Sequence, residues 1–142
     1  MELKFAFAVN TSRYFKNNHF GNADKYLIYK VESNKLRLVT EEENNFKQLD
    51  KGKEHGLRNK GNAIIQFLKE KEVNVLVAMQ FGENIKMINQ HFVPVIIYQN
   101  DPQKVIGIIN KHLHWIIDEW DHKAADYNLF MIKNGILKSR VK

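Results

Sequence analysis

Three short apolar runs limit what this chain can fold into. Residues 3–9 (Leu-Lys-Phe-Ala-Phe-Ala-Val), 73–79 (Val-Asn-Val-Leu-Val-Ala-Met) and 93–98 (Val-Pro-Val-Ile-Ile-Tyr) are apolar at nearly every position. A strand with one wet face alternates, whereas a strand covered on both faces does not have to. The runs are too short for buried helices and read as strands inside a sheet. Pro94 lacks an N–H and belongs at its strand's start or on an edge. Helical segments join the three, so they should lie parallel in an α/β sheet.

The remaining elements fall around this frame. Residues 25–32 and 35–40 read as an antiparallel hairpin turning at Ser33-Asn34. A helix is expected at 62–71, where Ile64, Ile65 and Leu68 share a face, and a short one at 83–91. Asp101 can cap a helix that Pro102 begins. That helix should run to about 122, with Val105, Ile109, Leu113, Ile116 and Trp120 as its core stripe. Asn134-Gly135 between 128–133 and 136–140 signals a second hairpin. The expected fold is therefore a mixed sheet of five strands with helices on its faces, plus a C-terminal hairpin. Residues 1–122 form the expected domain, and 123–142 an extension packed on it.

Composition removes several function classes. The chain has 142 residues and no cysteine, so any metal would be held by His, Asp, Glu or backbone groups. No run approaches the roughly 18 apolar residues of a membrane helix, and Met-Glu-Leu-Lys-Phe-Ala is too short and acidic for a signal peptide. A cytoplasmic location and no membrane partner are the expectations. The net charge of +6 sits on scattered lysines without an arginine cluster, which disfavours nucleic acid and fits a solvated surface. Residues 3–9 carry no carboxylate to start a two-metal nuclease centre. Phosphate-cradling glycine loops and Ser or Cys nucleophile motifs are absent too. The expectation is a protein that is not an enzyme.

The candidate site residues lie at one end of the sheet. His19-Phe20-Gly21 sits just before the strand at 25–32, and His55-Gly56 stands in a polar stretch, 41–60, read as a long loop. Gln80-Phe81-Gly82 closes the run at 73–79. A ligand would sit between the 10–24 loop, the 41–60 loop and the Gly82 turn, where α/β folds place ligands. His19 has two readings, a metal ligand or a structural histidine. On sequence alone His55 reads as a solvated loop residue. His114, Asp118 and His122 would share one helix face and read as exposed and polar rather than as a metal site, and His91 and His112 join no constellation. Tyr26, Tyr29, Trp115 and Trp120 read as core or interface residues. Trp115 lies off the stripe, under the second hairpin or at a contact with another copy.

With these residues in place, the chain resembles the dinitrogenase iron–molybdenum cofactor biosynthesis family, small ribonuclease H-like domains that include nitrogenase cofactor carriers. The matching stretches are Phe5-Ala6-Phe7-Ala8-Val9, His19-Phe20-Gly21, Ala23 and Tyr26-Leu27-Ile28-Tyr29-Lys30-Val31. His55-Gly56, Gly61, Phe67-Leu68-Lys69-Glu70, Val73-Asn74-Val75-Leu76-Val77-Ala78 and Phe81-Gly82 complete the pattern, over roughly residues 3–115. The resemblance implies a ribonuclease H-like fold. It also implies binding or carriage of an iron–molybdenum or iron–sulfur cluster, or a similar anionic small ligand, without turnover. His19 and His55 would face the metal, with Phe20, Gly21 and Gly82 around the ligand. Three departures stand out: a single His in the loop before the first helix, a turn (Met79-Gln80-Phe81-Gly82) poorer in glycine than usual, and the added 116–142 tail. A thinner glycine turn leaves less room for a bulky cluster. The alternative is an interaction or regulatory module that kept the fold and lost the cofactor, binding a protein partner or a second copy.

Overall fold

A computed structural model describes residues 2–46 and 56–141. Among them, seven strands form one mixed sheet in the order β3-β2-β1-β4-β5-β6-β7. These are β1 (Lys4–Val9), β2 (Lys25–Glu32), β3 (Lys35–Glu43), β4 (Val75–Ala78), β5 (Val93–Ile97), β6 (Leu129–Ile132) and β7 (Ile136–Ser139). As the apolar runs predict, β1, β4 and β5 are parallel neighbours, and β2 and β3 add an antiparallel side to β1. The expected count of five strands is corrected to seven. The C-terminal hairpin continues the sheet, with β6 parallel to β5 and β7 antiparallel to β6.

Register explains Pro94, the second residue of β5. Val93 N–H donates to Asn74 O on the β4 side. Successive N–H groups alternate sides, so the missing donor of Pro94 faces β6, whose pairing begins one residue later, at Val95. The two hairpin turns differ. Ser33 and Asn34 both have positive φ, 51° and 63°, as a two-residue turn matched to strand twist requires. Asn134-Gly135 instead belongs to the three-residue connection between Ile132 and Ile136, and neither residue has positive φ.

The helices are α1 (Gly56–Glu70), α2 (Ile85–Ile88), α3 (Pro102–Lys111) and α4 (Leu113–His122). Asp101 caps α3 by accepting from Gln103 N at 2.9 Å. The single helix expected over 102–122 is broken at His112 (φ −120°, ψ 19°), yet its stripe survives the break: Val105, Ile109, Leu113 and Ile116 are all buried. Residues 41–43, expected in a loop, extend β3, and α1 begins six residues earlier than the expected 62. Polar composition hid both: β3 is half-exposed, so its Glu41-Glu42-Glu43 end needs no apolar face.

Side-chain size divides the two layers. Phe5, Phe7 and Val9 of β1 point into one core with the α3–α4 stripe, where Phe7 meets Phe15 and Tyr29. Ala6 and Ala8 point to the opposite face, under α1 and α2, and the small Ala78 of β4 joins them there. Burying each of the large side chains on the first face contributes about 1.5–3 kcal/mol. On the second face the alanines leave depth for Tyr26 of β2 and for Phe20 and Phe81, which enter from the loops.

The C-terminal hairpin is tied down through Glu119, a buried carboxylate on α4. Its oxygens accept from Asn128 N (2.7 Å) and Nδ2 (3.2 Å) and pair with Lys123 Nζ at 3.2 Å. Trp120 stacks on Tyr127 at 5.1 Å. Trp115, by contrast, is 43% exposed, and it is Trp120 that meets the segment leading into the hairpin. Burial alone would raise the Glu119 carboxyl, but the hydrogen bonds from Asn128 and the pairing with Lys123 hold it below the ordinary value. A depressed carboxyl stabilises the fold above its unfolded pKa and loses that effect as pH falls through the folded value. Glu119→Gln should therefore lose most stability relative to wild type near neutral pH, and the gap should shrink toward about pH 3. Urea denaturation at both pH values checks this, and a gap independent of pH refutes it.

Candidate functional site

The site grows from the carboxyl ends of β1 and β4. The chain leaves β1 at Val9 and returns through His19-Phe20-Gly21, which forms a short 3-10 turn, Phe20–Asn22, with His19 at its head. Phe20 is the anchor. It is buried, stacks on Tyr26 at 4.8 Å and on Phe81 at 5.7 Å, and its carbonyl accepts from Tyr26 Oη at 2.9 Å. Burial raises the Tyr26 hydroxyl far above its ordinary pKa, so it acts as a neutral donor. Phe20 N–H donates to Gln80 O at 2.8 Å, and His19 bridges to Gln80 as a parallel strand pair would. Asn44, buried beyond the end of β3, clamps the same turn through Nδ2 to Gly21 O (3.0 Å) and Ala23 O (2.8 Å).

These contacts fix His19, whose imidazole is exposed at the surface. Its main chain is held by Gln80 and by Asn18 Oδ1, which accepts from His19 N at 2.9 Å. Its ring lies against Gly82. A Cβ on Gly82 would stand 2.5 Å from His19 Nδ1 and 2.7 Å from Cε1, closer than atoms can approach. Gly82 also has φ +68°, a conformation that costs other residues about 1–2 kcal/mol. Gly82 is thus favoured by its own backbone conformation, and any side chain there would displace the His19 ring.

Behind His19 lies a cavity of about 300 Å³. His19, Phe20 and Gly21 line it, and so do Phe81 and Glu83 on either side of Gly82. Its floor is Ile64 and Ile65 of α1, Leu76 of β4 and Ile88 of α2. Its polar wall is Asn22, Asn84 and Lys60. Lys60 is only 3% exposed, and its ammonium donates to Asn22 Oδ1. Gly61 admits Asn84, whose Nδ2 would lie 3.1 Å from a Cβ there. A smaller hollow on the side of Lys16 and Asp24 also reaches His19.

The structure therefore brings together His19, Phe20, Gly21 and Gly82, with different parts: His19 at the mouth, Phe20 as anchor, Gly21 in the wall and Gly82 beneath the ring. His55 lies outside the described residues. His114, Asp118 and His122 are exposed on α4, where His122 Nδ1 stands 2.9 Å from Asp118 O. His91 is held 3.5 Å from Lys69 Nζ, and His112 marks the break between α3 and α4. Among the described residues, no group of three or more His, Asp or Glu side chains is placed to hold a metal ion. Sequence reasoning misses Lys60. It stands four and eight residues before Ile64 and Leu68, on the buried stripe of α1, a position visible only once the helix starts at Gly56.

A family model, dinitrogenase iron-molybdenum cofactor, matches residues 1–112. The chain belongs to the dinitrogenase iron-molybdenum cofactor family. No curated protein matches it. The family match spans β1 through α3 and so includes His19, the Gly82 turn and the whole cavity wall; α4 and the C-terminal hairpin fall outside it. Among the described residues, no helix is long and apolar enough to cross a membrane.

The contact between His19 and Gly82 is open to a double-mutant cycle. Gly82→Ala should destabilise the fold by more than about 1 kcal/mol, from left-handed strain plus the displaced ring. His19→Ala, at an exposed position, should cost under about 0.5 kcal/mol. The double variant should be more stable than the sum predicts by more than about 0.5 kcal/mol, because the ring is gone. Denaturant titration of the four proteins measures the coupling, and additive costs would show that the ring and the turn are independent.

Proposed function

We propose that this chain binds an iron-containing cluster of the kind its family is named for, and that it holds and hands on this cargo without chemical turnover. The observation that carries the reading is the placement of His19. An exposed imidazole is held by its backbone at the mouth of a cavity, packed over a glycine that leaves room for its ring. A neutral imidazole is a common ligand to transition metals.

The donor set suits such a cargo better than a bare metal ion. Among the described residues, one imidazole and the Glu83 carboxylate border the cavity, short of the four ligands a closed structural site uses. A cluster brings its own inorganic ligands and needs only a corner to be held. His55, the second histidine implied by the family resemblance, is the proposed further ligand. The order β3-β2-β1-β4-β5 fits a ribonuclease H-like core that carries this site.

Anaerobic loading with iron and sulfide, followed by metal analysis and an absorbance spectrum, tests the reading. Wild type should take up iron in stoichiometric amount with visible charge-transfer bands. His19→Ala should lose most of it while keeping its circular dichroism spectrum. Equal loading of His19→Ala, or no loading of wild type, would refute the proposal. In the second case the alternative reading gains, an interaction module of the same fold. The exposed Trp115 and Leu137 outside the family match are what favour it.

A further inference from the structure

The edge of the sheet at β7 carries a pattern of its own. Among the described residues no strand lies beyond β7, so alternate N–H and C=O groups along Ile136–Ser139 face outward without a ladder partner. A row of apolar side chains crosses the sheet toward that edge on the α1–α2 face. Ile96, Met131 and Leu137 are direct neighbours in it, one from each of β5, β6 and β7. Ile96 and Met131 are half-buried, and Leu137 is 62% exposed. The row stops at the edge with its last member uncovered. On the opposite face the adjacent row, Val95, Phe130 and Lys138, starts in the core and ends in a charge.

The charge at this edge has one sign. After Asp126 the chain has no acidic side chain, and its described part there carries Lys133, Lys138 and Arg140. Lys133 lies over the Tyr98 ring at 4.7 Å. Lys138 and Arg140 are exposed, and neither is ion-paired among the described residues. Two carboxylates share a groove with Lys138. Glu119 is buried and held by Asn128 and Lys123, and Asp118 stands 3.4 Å from His122 Nδ1 on its own helix. A second copy paired along β7 would set Lys138 and Arg140 close to the same residues of its partner, and like charges on neighbouring strands repel. A strand carrying carboxylates meets the opposite sign.

We propose that the β7 edge is a docking site for an extended acidic segment of a partner protein, which adds a strand to the sheet and alternates apolar side chains, set beside Leu137, with carboxylates, set beside Lys138 and Arg140. Main-chain hydrogen bonds supply the hold in such an addition, and the alternation supplies the selectivity. The surface lies outside the family match and away from the cavity, so the proposal does not rest on the cluster reading.

A synthetic peptide alternating glutamate and valine, titrated into the metal-free chain by calorimetry and amide NMR, tests it. Binding should saturate, with shifts centred on Ile136, Leu137, Lys138 and Ser139. A peptide with lysine for glutamate should bind about tenfold more weakly or worse. So should a glutamate–valine peptide N-methylated at alternate residues, which keeps the charge and loses the ladder. Lys138→Glu, at an exposed position, should weaken the acidic peptide by a similar factor, and Arg140→Glu, beyond the strand, decides the matter if Lys138→Glu does not fold. No saturable binding, equal binding of the lysine or N-methylated peptide, shifts centred elsewhere, or unchanged binding in either folded variant would each overturn the proposal. So would self-association of the chain through β7, which assigns the edge to a second copy, or displacement of the peptide by a thymidine oligonucleotide, which assigns it to nucleic acid. None of these outcomes depends on iron loading, so the two readings fail separately.

Discussion

The packing of the His19 ring onto a side-chain-free Gly82 is the contact on which the site depends. It joins the loop after β1 to the turn after β4, two segments more than sixty residues apart in the chain. Neither segment has a regular element of useful length at that point, so backbone contacts between them are few: Phe20 N–H to Gln80 O, and the single bridge of His19 with Gln80. What makes so slight a junction rigid is the residue next door. Phe20 is sunk between Tyr26 and Phe81, and a buried aromatic cannot slide without opening a hole that costs several kcal/mol. The main chain of His19 is held in place by its buried neighbour.

That anchor exists because the sheet is asymmetric. On β1, phenylalanines face the α3–α4 core, while alanines face the side where the loops fold in. If the large residues stood on the other face, Phe20, Tyr26 and Phe81 would have nowhere to enter, and the cavity floor would be filled. The Phe-Ala alternation along residues 5–8 thus decides which face of the sheet has room for the cavity. The parallel arrangement of β1 and β4 then brings their carboxyl ends together at the same edge.

The candidate site and the C-terminal hairpin are separated along the chain. The family match ends at residue 112, at the His112 break between α3 and α4. Everything that positions His19 and the cavity lies before it. Beyond it, α4 packs on the sheet and the C-terminal hairpin widens that sheet by two strands, held by Glu119, Asn128 and the Trp120–Tyr127 stack. The belonging of this chain to the dinitrogenase iron-molybdenum cofactor family therefore rests on the part that contains the candidate site.

The sequence by itself determined the parallel strands, the hairpin at Ser33-Asn34, the start of α3 and the buried stripe that runs through α3 and α4. Each comes from local periodicity or from a residue with one conformational use, and none depends on distant contacts. It also pointed to His19, Phe20, Gly21 and Gly82, though not to what each does. Three features were decided only by tertiary structure. The C-terminal hairpin joins the main sheet because β5 has an open edge, which no local pattern reports. Helix α1 starts earlier than its apolar residues suggest, because a long amphipathic helix tolerates a polar first turn. And Lys60 looks like any surface lysine until α1 packs over β4, when burial turns a common residue into a charged wall of the cavity. Local chemistry writes the elements, but a site made where elements meet acquires its electrostatics only when they are packed.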